Sequence, residues 1–180
     1  AAELGLSVAQ KKDSTGVCFI GERKFKRFLS EFLPAQQGDI TDASGNVVGR
    51  HDGLMYYTLG QRRGLGIGGV RGETGRWFVL RKDVKNNRLI VSCGDERELY
   101  SRELVGEGLN IIGAFDMPAA LRCTAKTRYR QPDQAATLYA HADGTFRMVF
   151  DEPQRAITPG QYAVVYLGER CLGGGIINAA

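Results

Sequence analysis

Residues 158–177 read TPGQYAVVYLGERCLGGGII, and this stretch decides the fold. Pro159 and Gly160 signal a turn, residues 161–167 follow as an apolar and aromatic run, and a last strand-like pair surrounds residues 170–177. Working back, residues 108–113, 121–129, 135–140 and 145–150 have the same character, separated by Gly, Pro and Asp turns. About six short strands in roughly 85 residues suit a small closed barrel. Residues 93–96, CGDE, read as a boundary before it. Upstream, Asn86 and Asn87 mark a hairpin turn between strands at 77–80 and 89–92, and Ser44, Gly45 and Asn46 mark another between 38–42 and 47–48. Phe25, Phe28, Leu29, Phe32 and Leu33 keep the i, i+3, i+4, i+7, i+8 spacing of a helix that Pro34 closes. The expected fold is mainly β: a short N-terminal loop and helix, a small central β domain and a C-terminal six-stranded β-barrel.

With 180 residues the chain has room for one large domain or two small ones. Its 43% apolar and 24% charged residues match folded globular proteins. No apolar run approaches the roughly 18 to 20 residues of a membrane helix, so no membrane partner is expected. The 24 glycines, about 13 per cent, point to many tight turns. The net charge of +4 is unevenly spread: residues 1–94 hold 15 Lys and Arg against 9 Asp and Glu, and residues 95–180 hold 9 against 11. Within the second half, Arg122, Lys126, Arg128 and Arg130 form a basic strip with no acid among them, and strand alternation would put all four on one face. A polyanion could lie across it; a solvated strand face is the alternative reading.

The four cysteines, at 18, 93, 123 and 171, are too far apart for a CxxC pair, so neither a zinc site nor a dense disulfide framework is expected. A reducing cytoplasm is the simplest compartment for such a chain, which carries no signal peptide and begins without Met. Cys18 stands out: Lys11, Lys12, Arg23 and Lys24 flank it, and nearby cations favour a thiolate, although on composition alone a cysteine between Val17 and Phe19 is more often an inert core residue. Gly64, Gly66 and Gly69 satisfy GxGxxG, but no helix can follow in VRGETG, so dinucleotide binding is disfavoured. With Gln61, Arg62 and Arg63 beside it, that loop could approach a phosphate. His51 and His141 have no sequence-local partner for a nucleophile–base pair, and a hydrolase triad has no support.

Four signatures in series carry a resemblance. DSTGVCFIGERKFKRFL (13–29), GLMYYTLGQRRGLGIGG (53–69), KTRYRQ (126–131) and TPGQYAVVY (158–166), with CLGGGII (171–177) after them, resemble the tRNA-specific 2-thiouridylases in order and spacing. The similarity covers essentially the whole chain, but only the C-terminal half of that family. The SGGVDSS-type phosphate loop of the family's ATP-pyrophosphatase domain has no counterpart here. The resemblance implies a tRNA sulfurtransferase that adenylates the C2 oxygen of wobble uridine 34 with ATP and replaces it with persulfide sulfur. Cys18 matches the persulfide-carrying cysteine, and Arg128, Tyr129 and Gln161 match tRNA-contact positions. ATP would bind to the absent N-terminal domain, so this chain alone would be inactive, and a sulfur-relay donor protein would load Cys18. The implied division is 1–25 as the end of the catalytic domain with the sulfur-bearing loop, 26–94 as the central domain, and 95–180 as a barrel like those of translation factors. The alternative function is a non-catalytic RNA-binding barrel module related to translation factors, with Cys18 as a core residue.

Overall fold

The computed structural model describes residues 31–67 and 75–180. The chain divides into two compact units, Ala1–Gln36 and Gln37–Ala180. Cys18 and nearly all of the helix expected to end at Pro34 lie outside the described residues; Glu31 and Phe32 are helical.

The second unit contains a four-stranded sheet and a closed barrel. The sheet consists of β1 (Gly38–Thr41), β2 (Val47–His51), β3 (Trp77–Asp83) and β4 (Arg88–Cys93), in the order β2-β1-β4-β3. β1 runs antiparallel to β2 and parallel to β4, so the sheet is mixed. Both hairpins form where the turn residues predict them. Asp42 caps the first turn by accepting the Asn46 backbone N–H at 2.8 Å, and Asn87 takes a left-handed φ of 51° in the second, a conformation Asn tolerates well. Alternation along the strands buries Ile40, Val48, Val79, Leu89 and Val91 on one face, covered by Tyr57 and Leu65.

The barrel is built from β5 (Tyr100–Ile111), β6 (Leu121–Lys126), β7 (Gln134–Ala140), β8 (Phe146–Arg155), β9 (Tyr162–Leu167) and β10 (Arg170–Ala179). They close in the order β10-β5-β8-β7-β6-β9, with every pairing antiparallel. β6 shows the logic: Leu121, Cys123 and Ala125 point inward, and Arg122, Thr124 and Lys126 outward. Phe146, Met148, Phe150, Leu138, Leu104 and Leu172 fill the interior. The glycine run of β10 has a packing cause: a Cβ on Gly175 would stand 2.5 Å from the Phe146 ring, so this close approach requires glycine.

Four barrel strands differ from their sequence reading: among them, β8 runs on to Arg155 instead of ending near residue 150. β5 starts at Tyr100 rather than near 108, and the expected pair at 170–177 is the single strand β10. β6 ends at Lys126, not Tyr129, because Thr127 leaves the ladder: its backbone N–H and its hydroxyl both donate to Gln131 Oε1 at 3.0 Å. A third apolar cluster, Phe78, Leu80, Leu99 and Ala156, joins sheet to barrel. Arg155 reinforces that junction, with an ion pair to Glu96 at 2.6 Å and its guanidinium 5.7 Å from the Phe78 ring centre. No helix among the described residues is long and apolar enough to cross a membrane.

Candidate nucleic-acid interface

β6 and β9 pair across the barrel's closing seam, with Lys126 opposite Val164 and Thr124 opposite Tyr166. On β9 the alternate positions Tyr162, Val164 and Tyr166 face outward. Beyond Lys126 the chain turns through residues 127–131, and before Tyr162 it turns through 158–161. These two loops rise on either side of the seam and leave a cleft of about 480 Å³. Lys126, Thr127, Arg128, Tyr129, Gln161, Tyr162, Val164 and Tyr166 line it. Three sequence-predicted site residues, Arg128, Tyr129 and Gln161, therefore come together on one surface.

Each loop is held from below. A chain of amides braces the first: Gln131 Nε2 donates to Gln154 Oε1 at 2.7 Å, and Gln154 Nε2 donates to Gln134 Oε1 at 3.1 Å. Gln154 and Thr127 are buried, so these bonds fix the loop rather than decorate it. The second loop is a tight turn in which the Gln161 N–H donates to the Thr158 carbonyl at 3.2 Å and Gly160 takes a φ of 82°. Pro159 followed by a left-handed glycine is a type II turn signature. Arg128 spans the gap beneath: its Nη2 donates to the Ala156 carbonyl at 2.9 Å, and Thr158 Oγ1 donates to the same oxygen at 3.0 Å. A guanidinium carries five N–H donors, so this anchored arginine keeps others for a ligand.

The basic strip does not survive folding as a single stripe. Arg122 pairs with Asp151 of β8, with Nη1 and Oδ1 2.6 Å apart, and this contact holds the Asp151 carboxyl below its ordinary value. Lys126 pairs with Asp133 at 2.9 Å, which raises the ammonium pKa above its ordinary value. Arg128 and Arg130 lie beyond the end of β6, so strand alternation does not place them with Arg122. Asp151, from across the barrel, and Asp133, just past the strip, neutralise two of the four cations, and the cleft draws its positive charge chiefly from Arg128, with Lys126 shared. The ammonium of Lys126 also lies 5.3 Å from the centre of the Tyr166 ring.

The sequence reading missed Tyr162 and Tyr166 as cleft residues. The signal was present in QYAVVY, where two tyrosines four apart on one strand share a face. Elsewhere, the candidate groups resolve into structure. In the glycine loop, Leu65 is buried in the sheet core, Gln61 Nε2 donates to the Arg63 carbonyl at 2.9 Å, and Arg62 and Arg63 are exposed; residues 68–74 lie outside the described residues. His51 is buried between two backbone groups, its Nδ1 accepting from the Gly53 N–H and its Nε2 donating to the Asn87 carbonyl, each at 3.1 Å. Both ring nitrogens are thus used structurally. Cys123 is buried in the barrel, which pushes its thiol pKa up, and Cys171 is exposed on β10. No group of His, Cys, Asp and Glu among the described residues could hold a metal ion.

Residues 26–93 match the family described as tRNA methyl transferase PRC-barrel domain, and residues 101–177 match the aminomethyltransferase beta-barrel domain family. The chain is 57% identical over 180 residues to the tRNA-specific 2-thiouridylase MnmA of Actinobacillus succinogenes, an overlap of 99% of this chain and 46% of that protein. It is 56% identical to the Haemophilus influenzae protein of the same name, covering 98% of this chain and 47% of the relative. The Alkaliphilus oremlandii protein of that name is 55% identical, over 99% and 49%. The chain spans about half the length of the curated relatives it matches. With 145 of its residues inside the two family matches and more than half of its positions identical to those relatives, the chain belongs to the tRNA-specific 2-thiouridylase family.

Proposed function

We propose that the full-length protein is an ATP-dependent tRNA sulfurtransferase of the cytoplasm and that this chain supplies its sulfur-bearing cysteine and much of its tRNA-binding surface. In this reading the C2 oxygen of wobble uridine 34 is adenylated at the expense of ATP, with release of pyrophosphate, on a domain that is not part of this chain. Cys18 carries a persulfide delivered by a sulfur-relay protein. Its terminal sulfur attacks C2, and the oxygen leaves with AMP. A second cysteine thiolate, also outside this chain, then takes the Cys18 sulfur into a disulfide and leaves the transferred sulfur on the base. Residues 1–25 close the catalytic domain, 26–94 form the central domain, and 95–180 form the barrel. By itself the chain binds RNA and does not catalyse.

The observation that carries the tRNA part of this reading is the meeting of Arg128, Tyr129 and Gln161 at one cleft between two braced loops. A guanidinium anchored to backbone at one end is preorganised for phosphate, and an exposed tyrosine stands beside it. The sulfur part is tested by thiolating a uridine-34 tRNA with the full-length protein and its Cys18→Ser variant. Loss of sulfur incorporation in the variant is expected, and unchanged incorporation would remove Cys18 from the reaction.

A further inference from the structure

The outer surface of a barrel strand in water is normally polar, yet the outward face of β9 presents tyrosine, valine and tyrosine in succession. Tyr162 is 59% exposed, and Tyr129, from the facing loop, is 80% exposed. Both line the same cleft, whose volume lies within the roughly 300–1,000 Å³ typical of pockets for small organic groups. Phosphate recognition alone gives no reason to gather aromatic rings. Three tyrosines around one cleft, with a guanidinium and an ammonium at its edge, are instead the components of a nucleobase platform: rings for the flat faces of bases, cations for the backbone between them. Base faces are hidden in a duplex, so such a cleft selects unpaired nucleotides.

The three rings are not equivalent. Lys126 stands over Tyr166, itself half-buried, and Asp133 holds that ammonium in place. Tyr166 is therefore a floor with one face occupied. Tyr162, on the seam strand, is the ring that stands exposed beside that floor. We propose that Tyr162 is the stacking ring for an unpaired base of the bound RNA, in the cleft that Tyr129 also lines, floored by Tyr166 and Lys126. This rests on the tRNA-binding reading of the same cleft and adds to it a new contact residue and a ligand class, single-stranded rather than paired nucleotides.

The test uses the full-length protein, a tRNA, and a short single-stranded oligoribonucleotide carrying 2-aminopurine, whose fluorescence falls on stacking. Tyr162→Ala is expected to weaken binding of both RNAs roughly five- to a hundredfold, the range for losing one base–ring stack, to abolish the fluorescence quenching, and to leave the salt dependence of affinity unchanged. Tyr162→Phe keeps the ring and is expected to bind within about twofold of the parent. If the alanine variant unfolds at a lower temperature than the parent, Tyr162→Leu, an apolar side chain without a ring, gives the same reading. Parent-like binding by Tyr162→Ala while Arg128→Ala is weakened would overturn the stacking role and leave the cleft as an RNA site. Equal weakening by Ala and Phe would also overturn it, by assigning the effect to the hydroxyl. Parent-like binding by both Tyr162→Ala and Arg128→Ala would remove the cleft reading together with the platform.

Discussion

Ala156 carries more of this molecule than its methyl group suggests. Its φ is 52°, left-handed for a residue that is not glycine, and its N–H donates to the Leu99 carbonyl at 2.6 Å. Its carbonyl accepts from both Arg128 and Thr158. One residue therefore ties the sheet–barrel junction to the arginine of the cleft. A β-branched side chain is strongly disfavoured at that φ, and the site is buried. Ala156→Val should destabilise the protein by about 2 kcal/mol or more, measured by urea unfolding, and should weaken tRNA binding with it. The cysteines give a second test at this scale. Cys123 is buried with its thiol pKa raised, and Cys171 is exposed, so iodoacetamide at pH 8 should label Cys171 in the folded protein and spare Cys123 until denaturant is added, as read by mass spectrometry. None of these environments was legible in the sequence, where the cysteines at 123 and 171 look alike.

The elements were more legible than the residues that end them. Turn chemistry at Asp42–Asn46 and Asp83–Asn87 is local, so both hairpins could be read directly, and alternation gave the inner and outer faces of β6. The end of β6 could not be read, because it depends on Thr127 bonding to Gln131 and on Gln131 bonding to Gln154, a residue from another strand. Alternation continued past that point put Arg128 and Arg130 on a face they do not share with Arg122. The pairing of Arg122 with Asp151 escaped the sequence for the same reason: charge counts along a chain do not see acids across a barrel. The amide chain also makes a prediction. Gln131→Ala would leave the buried Thr127 donors and the Gln154 carbonyl without partners, at a cost of about 1–3 kcal/mol in urea unfolding. It would also loosen the loop carrying Arg128 and Tyr129, so tRNA affinity should fall although neither residue is altered.

At the scale of the whole molecule, sheet and barrel share one apolar cluster and the Arg155–Glu96 pair, and the connection between them carries a pH-sensitive contact. Hydrogen bonds from Arg97 draw the Asp95 carboxyl from an ordinary 3.8 down to about 2. A carboxylate depressed on folding contributes stability above its ordinary value and loses it as pH falls towards the folded one. Thermal unfolding midpoints should therefore drop more for the parent than for Asp95→Asn between pH 4 and pH 2; the pair is exposed, so the difference is small and shrinks with added salt. The barrel's presence, its strand number and the cleft's three predicted residues were within reach of the sequence, the first two from strand spacing and the residues from the family resemblance. Its tyrosine wall was legible only in part: QYAVVY puts Tyr162 and Tyr166 on one face, but their meeting with Tyr129 depends on the pairing of β6 with β9. The central claim is that the seam cleft holds tRNA through Arg128. The most direct measurement is the affinity of the full-length protein for tRNA across a salt series, with and without Arg128→Ala. The account predicts weaker binding and a logarithmic salt slope reduced by roughly 0.7–0.9, one phosphate's share. An affinity and a slope identical to the parent's would contradict it.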